Sequence, residues 1–134
     1  MVHRYLLLVA GLLLGACAGY AQSGWVLQNP LPTPHDLTDV QHTSANTFIA
    51  VGLAGTIVKT TDGGNTWTQQ TSGVTNWLQG VSFLDANIGT AVGGDGTIIR
   101  TIDGGTTWTR QESGTTKPLW GVSFTGSNTG IVVG

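Results

Sequence analysis

The sequence predicts an all-β chain, and three observations carry that expectation. The first is a repeat. Leu37 to Trp77 recurs without a gap as Leu78 to Pro118, and a third copy begins at Leu119, so the period is 78 − 37 = 41 and again 119 − 78 = 41. The second is what fills the repeat: short runs of Val, Ile and Thr separated by Gly- and Asp-rich punctuation, the pattern of strands and tight turns. The third is composition. Gly accounts for 21 of the 134 residues and charged residues for only 9%, which suits short strands and disfavours helices. A period in the low forties made of short strands is the signature of propeller blades. The expected architecture is a partial β-propeller, about two and a half blades of four-stranded antiparallel sheet after an N-terminal leader.

Residues 1–21 read as a secretory signal peptide. Arg4 lies in a short basic start, Tyr5 to Gly15 is continuously apolar, and small residues follow. The stretch is too short for a membrane span, which needs about 18 or more apolar residues. Gly19-Tyr20-Ala21 puts small residues at the −3 and −1 positions of a cut before Gln22, which favours simple export to the periplasm or the extracellular space. Leu14-Gly15-Ala16-Cys17 offers the alternative, a lipobox in which Cys17, the only cysteine, becomes a lipid-modified membrane anchor. A membrane partner is expected only in that case.

Residues 22–36 form an N-terminal segment. Trp25 to Pro30 resembles Trp67-Thr68-Gln69-Gln70 and is expected to be an orphan outer strand that completes the last blade of a ring. Blade 1 spans 37–77, blade 2 spans 78–118 and an incomplete blade 3 spans 119–134. The matched starts Leu37-x-x-Val40, Leu78-x-x-Val81-x-Phe83 and Leu119-x-x-Val122-x-Phe124 are expected to be innermost strands. Phe48 to Val51, Thr90 to Val92 and Ile131 to Val133 are second strands, and Thr56 to Thr60 and Thr97 to Thr101 are third strands. Fourth strands begin near Trp67 and Trp108. Gly134 aligns with Gly93 and Gly52, after which both earlier copies continue into another strand. The repeat thus predicts further blades beyond this sequence, with closure by oligomerisation as the other expectation.

The turn into the fourth strand is the most specific motif. Thr60-Thr61-Asp62-Gly63-Gly64-Asn65-Thr66-Trp67 and Thr101-Ile102-Asp103-Gly104-Gly105-Thr106-Thr107-Trp108 share the pattern S/T-x-D-x-G-x-T-W, the Asp-box or bacterial neuraminidase repeat. An Asp carboxylate can accept N–H bonds inside its own turn, glycines admit positive φ, and the indole packs beneath the loop. Thr60, Asp62, Gly64, Thr66 and Trp67, with Thr101, Asp103, Gly105, Thr107 and Trp108, are therefore expected to be structural. They recur in each unit, whereas a catalytic group is normally unique.

With its flanks (L-x-x-V-x-F, A-V-G, G-T-I and W-x-x-Q-x-S-G), the chain from Trp25 to Gly134 resembles the photosystem II stability/assembly factor family and its bacterial relatives. That resemblance implies an exported, non-enzymatic, seven-bladed propeller that binds or assembles a protein partner.

Other chemistry finds little support. The formal net charge is −2. Without the leader, four basic residues (Lys59, Arg100, Arg110, Lys117) face seven acids, and no basic face of a nucleic-acid binder emerges. Asp-boxes also occur in sialidases, but both tyrosines, Tyr5 and Tyr20, lie in the leader, and two arginines do not make the carboxylate-binding cluster such an enzyme needs. A carbohydrate-binding or two-carboxylate glycosidase propeller remains the competing class, with Asp36, Asp39, Asp85, Asp95 and Glu112 as its nonrepeated acids or, equally, as surface charge. His35 and His42 match no metal spacing and are expected at the surface. Gly93-Gly94-Asp95-Gly96 lacks the Lys-Ser/Thr of a phosphate loop. No cofactor, metal or catalytic set is expected. Trp77 and Trp120 are not repeat-equivalent and are expected to pack, or to anchor a partner or a sugar.

Overall fold

The β-branched runs between the Gly-Asp turns are strands in the computed structural model, which describes residues 7–8, 26–27, 31–126 and 129–134. The leader apart from Leu7 and Leu8, and with it Cys17, lies outside the described residues, as does Trp25. Among the described residues no helix is long and apolar enough to cross a membrane. Two short strands, β1 (Leu7–Leu8) and β2 (Val26–Leu27), pair antiparallel. The expected orphan strand is thus a strand at Val26–Leu27, and its partner here is β1 rather than a blade.

The first blade consists of β3 (Leu37–Ser44), β4 (Thr47–Gly52), β5 (Ile57–Thr60) and β6 (Thr68–Gln70), hydrogen-bonded in chain order as an antiparallel meander. The second repeats it with β7 (Leu78–Phe83), β8 (Gly89–Gly93), β9 (Ile98–Thr101) and β10 (Thr109–Gln111). The third contributes β11 (Gly121–Gly126) and β12 (Thr129–Val133). Strand β7 lies against β3 on one side and β11 on the other, so the first strands of successive sheets are neighbours and line the inner side, as expected.

The Leu-x-x-Val spacing is odd for a strand, because residues three apart point to opposite faces. The register resolves it. A bulge falls between Leu37 and Asp39, and again between Leu78 and Gly80, and the extra residue returns both side chains to one face. Leu78 and Val81 accordingly share the main core cluster.

That core lies between sheets. Ile49, Val51 and Ile57 of the first blade meet Leu78, Val81, Ala91 and Ile99 of the second, with Val74, Phe83 and Trp108 packed around them. Ile49, Val51 and Ile57 share one face through the pairing Val51↔Ile57, and Val81, Ala91 and Ile99 share one through Val81↔Ala91↔Ile99. The second blade therefore buries one face on the sheet before it and the other on the sheet after it. Val92 is 0% exposed, while Val133, 41 residues on, is 58% exposed; Val81 is 5% exposed, while its counterpart Val40 is 57% exposed.

Polar groups also tie the first two blades together. The Thr38 hydroxyl donates to the carbonyl of Leu78 at 2.6 Å, and the Asp39 carboxylate accepts from the backbone N–H of Val81 at 2.9 Å and of Val40 at 2.8 Å. The Lys59 ammonium reaches across to the carbonyl of Gly104 at 2.8 Å. Asp39, read from sequence as a surface charge or a catalytic candidate, is a half-buried stitch between inner strands. Its repeat counterpart is Gly80, so the second junction is built differently: a β-carbon on Gly80 would lie 3.2 Å from the carbonyl oxygen of Trp120.

Val92→Lys is expected to cost about 3 kcal/mol or more through burial of an unpaired charge. Asp39→Ala is expected to cost about 1–3 kcal/mol by leaving the Val81 N–H without its acceptor. Chemical denaturation of the two variants checks these values; no loss at position 92 would contradict the interblade core.

Candidate functional site

The turns sort to two ends of the strands. At one end lie the short 3-10 turns Leu53–Gly55 and Gly94–Gly96 and the links between blades. Leu53 N–H donates to the carbonyl of Asp36, and Gly94 N–H to that of Trp77, which places the starts of the inner strands at this end. At the other end lie the acidic turns, joined to the hairpin turns between the first and second strands. Gly63 N–H donates to Asn46 and Gly104 N–H to Asn87, each at 2.9 Å.

The two acidic turns are built alike. One oxygen of Asp62 accepts from the Thr60 hydroxyl at 2.8 Å and the Thr66 N–H at 2.9 Å, and the other accepts from the Thr66 hydroxyl at 2.6 Å. The Thr60 oxygen in turn accepts from the N–H of Gly64 at 2.9 Å. Asp103 makes the same three contacts with Thr101 and Thr107 at the same distances and adds the Thr106 N–H at 3.1 Å. These donors favour the ionised form. Asp62 is held down to about 2 by the Thr66 hydroxyl first, then the Thr66 N–H and the Thr60 hydroxyl, and Asp103 likewise to about 2 by Thr107 and then Thr101. Carboxylates so fully engaged inside their own loops are poor acids, bases or ligands.

Glycine matters here for two reasons at once. Gly105 has φ +84, and a β-carbon there would lie 2.7 Å from Cδ1 of Ile49, so the acidic turn of the second blade also closes over the core of the first. Trp108 sets its ring edge-on to Phe83 at 6.1 Å and donates its indole N–H to Gly105 at 3.1 Å. The indole nitrogen of Trp67 is buried without a protein partner.

The remaining candidates separate. Asp85 accepts from the N–H groups of Asn87 and Ile88 at 2.7 and 2.8 Å, which lowers its pKa through Ile88 first and makes it a turn former. His35 and His42 are exposed, and His42 lies against Phe48 with ring centroids 4.9 Å apart. Among the described residues no three His, Cys, Asp or Glu side chains gather as metal ligands. Trp77 and Trp120, in different repeats, come together with ring centroids 5.2 Å apart at the end opposite the acidic turns. Beside them the Asn76 amide donates to Asp95 at 2.7 Å. The sequence carried a trace of this grouping, since neither Trp has a repeat counterpart.

No protein-family model matches the chain, and no curated protein matches it. Solved structures do. One described as YCF48 bound to D1 peptide aligns over 76% of this chain and 34% of its own, with TM-score 0.67 and 25% identity. YCF48 from Cyanidioschyzon merolae aligns over 81% of this chain and 37% of its own, with TM-score 0.65 and 21% identity. The fold is that of β-propeller blades. The chain spans about a third of the length of these YCF48 structures, which are the fold relatives that a resemblance to photosystem II stability/assembly factors leads one to expect.

The depressed pKa values of Asp62 and Asp103 make a stability contribution that is present above the ordinary carboxylate value of 3.8 and is lost as pH falls toward about 2. Asp62→Asn and Asp103→Asn are expected to melt below the parent at pH 7, with the gap closing between pH 4 and about 2. Thermal melts across that range test this; a gap independent of pH would show that the carboxylate charge is irrelevant to the turn.

Proposed function

We propose that the chain belongs to an exported β-propeller without catalysis of its own, which binds a protein partner through the end formed by the 3-10 turns and blade links. The observation that carries this reading is the shared fold with a YCF48 structure solved with a bound peptide. Three features support it. Asp62 and Asp103, in the turns read as Asp-boxes, are occupied within their own loops. The tryptophan pair, with Trp120 exposed and Trp77 half-buried, lies at the opposite end, where residues vary between repeats. The apolar leader precedes the first blade. The finer assignment, to the photosystem II stability/assembly factor family, rests on the Asp-box turns and their flanking pattern.

Two measurements test it. A photocrosslinking residue at Thr116, in the second link, is expected to yield protein adducts in the native host, while one at Asn65, in an acidic turn, yields none. Adducts only from Asn65, or glycan binding with no protein adduct, would overturn the reading. N-terminal sequencing of the mature protein is expected to begin at Gln22. A lipid-modified Cys17 would place it on a membrane instead, and an uncut cytoplasmic chain would end the export proposal.

A further inference from the structure

Two clefts of nearly equal size, about 560 and 550 Å³, occur at equivalent places in the first and second blades, each between a 3-10 turn and the link that follows the outer strand. The backbone is the same: Ser72 and Ser113 each accept from the N–H two residues on and donate back to that residue's carbonyl. The chemistry is not. The first cleft is lined by Ala54, Gln69 and Thr71. Forty-one residues on, the second carries Asp95, Arg110 and Glu112, and then Lys117 where the first repeat has Asn76. Four neutral positions have become two acids and two bases around one cleft.

One of the tryptophan pair meets the 3-10 turn beside this second cleft. Trp77 lies over Gly94, where the first blade has Leu53, and a β-carbon at position 94 would come within 2.6 Å of the Trp77 indole nitrogen. The bare backbone makes room for the ring. Asp95, the next residue, is held by Asn76, the residue before Trp77. Trp120 packs its ring against Trp77 yet is itself 55% exposed. The repeat does not require an indole there, since Thr38 and Gln79 fill the equivalent positions. A large exposed aromatic surface leading into a cleft with charges of both signs is the make-up of a protein-recognition hot spot.

We infer that the strip from Trp120 across Asp95 into the second cleft binds an extended peptide segment, one apolar side chain lying on Trp120 and neighbouring side chains of opposite charge meeting Asp95, Glu112, Arg110 and Lys117. The inference rests on the protein-binding reading of this end of the molecule. A peptide is favoured over a neutral sugar because a sugar leaves four charges without complementary partners as it displaces their water.

The first blade supplies the control, since it already holds neutral residues in the same backbone. The full chain is titrated, following tryptophan emission, with synthetic peptides bearing one leucine between a lysine and an aspartate. The same peptides with both charges replaced by serine, and a neutral glucose oligosaccharide, serve as comparisons. The charged peptides are expected to bind, with the serine versions about tenfold weaker. Trp120→Gln, and the combined Asp95→Ala, Arg110→Gln, Glu112→Thr and Lys117→Asn, are each expected to weaken binding about tenfold or more while leaving the melting temperature unchanged. The inference is overturned if no peptide binds, if the oligosaccharide binds in preference, or if the fourfold variant binds as well as the parent. Crosslinks at Thr116 combined with a fourfold variant that still binds would sink this assignment and leave the broader protein-binding reading standing; absence of protein crosslinks would sink the broader reading itself.

Discussion

A short antiparallel sheet rich in Val, Ile and Ala has two apolar faces, and neither can be left in water without losing the burial that offsets the entropy of ordering the strands. Everything else in this chain follows from how that need is met. The second sheet lays one face on its predecessor and the other on its successor, so the core is a stack of interfaces and not a single interior. Val92, on the face of the second sheet turned to the third, is 0% exposed. Stacking of this kind makes stability approximately a sum over repeats and junctions.

The junctions are not copies of one another. Thr38 and Asp39 bind the first inner strand to the second through hydrogen bonds, whereas Gly80 brings the second close to the backbone of Trp120 and Gly121 in the third. Lys59 and Gly105 fasten the outer part of the first junction by different means, one through a charge on a carbonyl and the other through the fit of Ile49 against a turn with no side chain. A repeat preserves the strand pattern while its junction residues drift, and that drift is what distinguishes one end-surface cleft from the next.

Division of labour between the two ends has a physical basis. The acidic turns saturate their carboxylates internally, which keeps the loop in one shape and leaves little for a ligand. The opposite end carries links whose side chains differ between repeats, with backbone held by the same serine turns. Surface chemistry can change there without disturbing the strands beneath. The recurrence of Asp62 and Asp103 therefore speaks for architecture, and the lack of recurrence of Asp95, Arg110, Glu112 and Lys117 is where recognition has room to reside.

The order of strands, their approximate limits and the local hydrogen bonding of Thr60, Asp62, Thr66 and their counterparts were legible in the sequence, because period-two patterning and turn chemistry act between residues near in the chain. Even so, Leu37-x-x-Val40 makes sense only with the bulge that folding inserts, and positive φ falls on Ala54 and Asp95, which no glycine marked. What the tertiary structure alone decided is which distant residues meet. Asp39 with Val81 and Lys59 with Gly104 are contacts set by the rotation of one sheet on the next, a quantity that depends on side-chain packing across the interface and leaves no local trace in the chain.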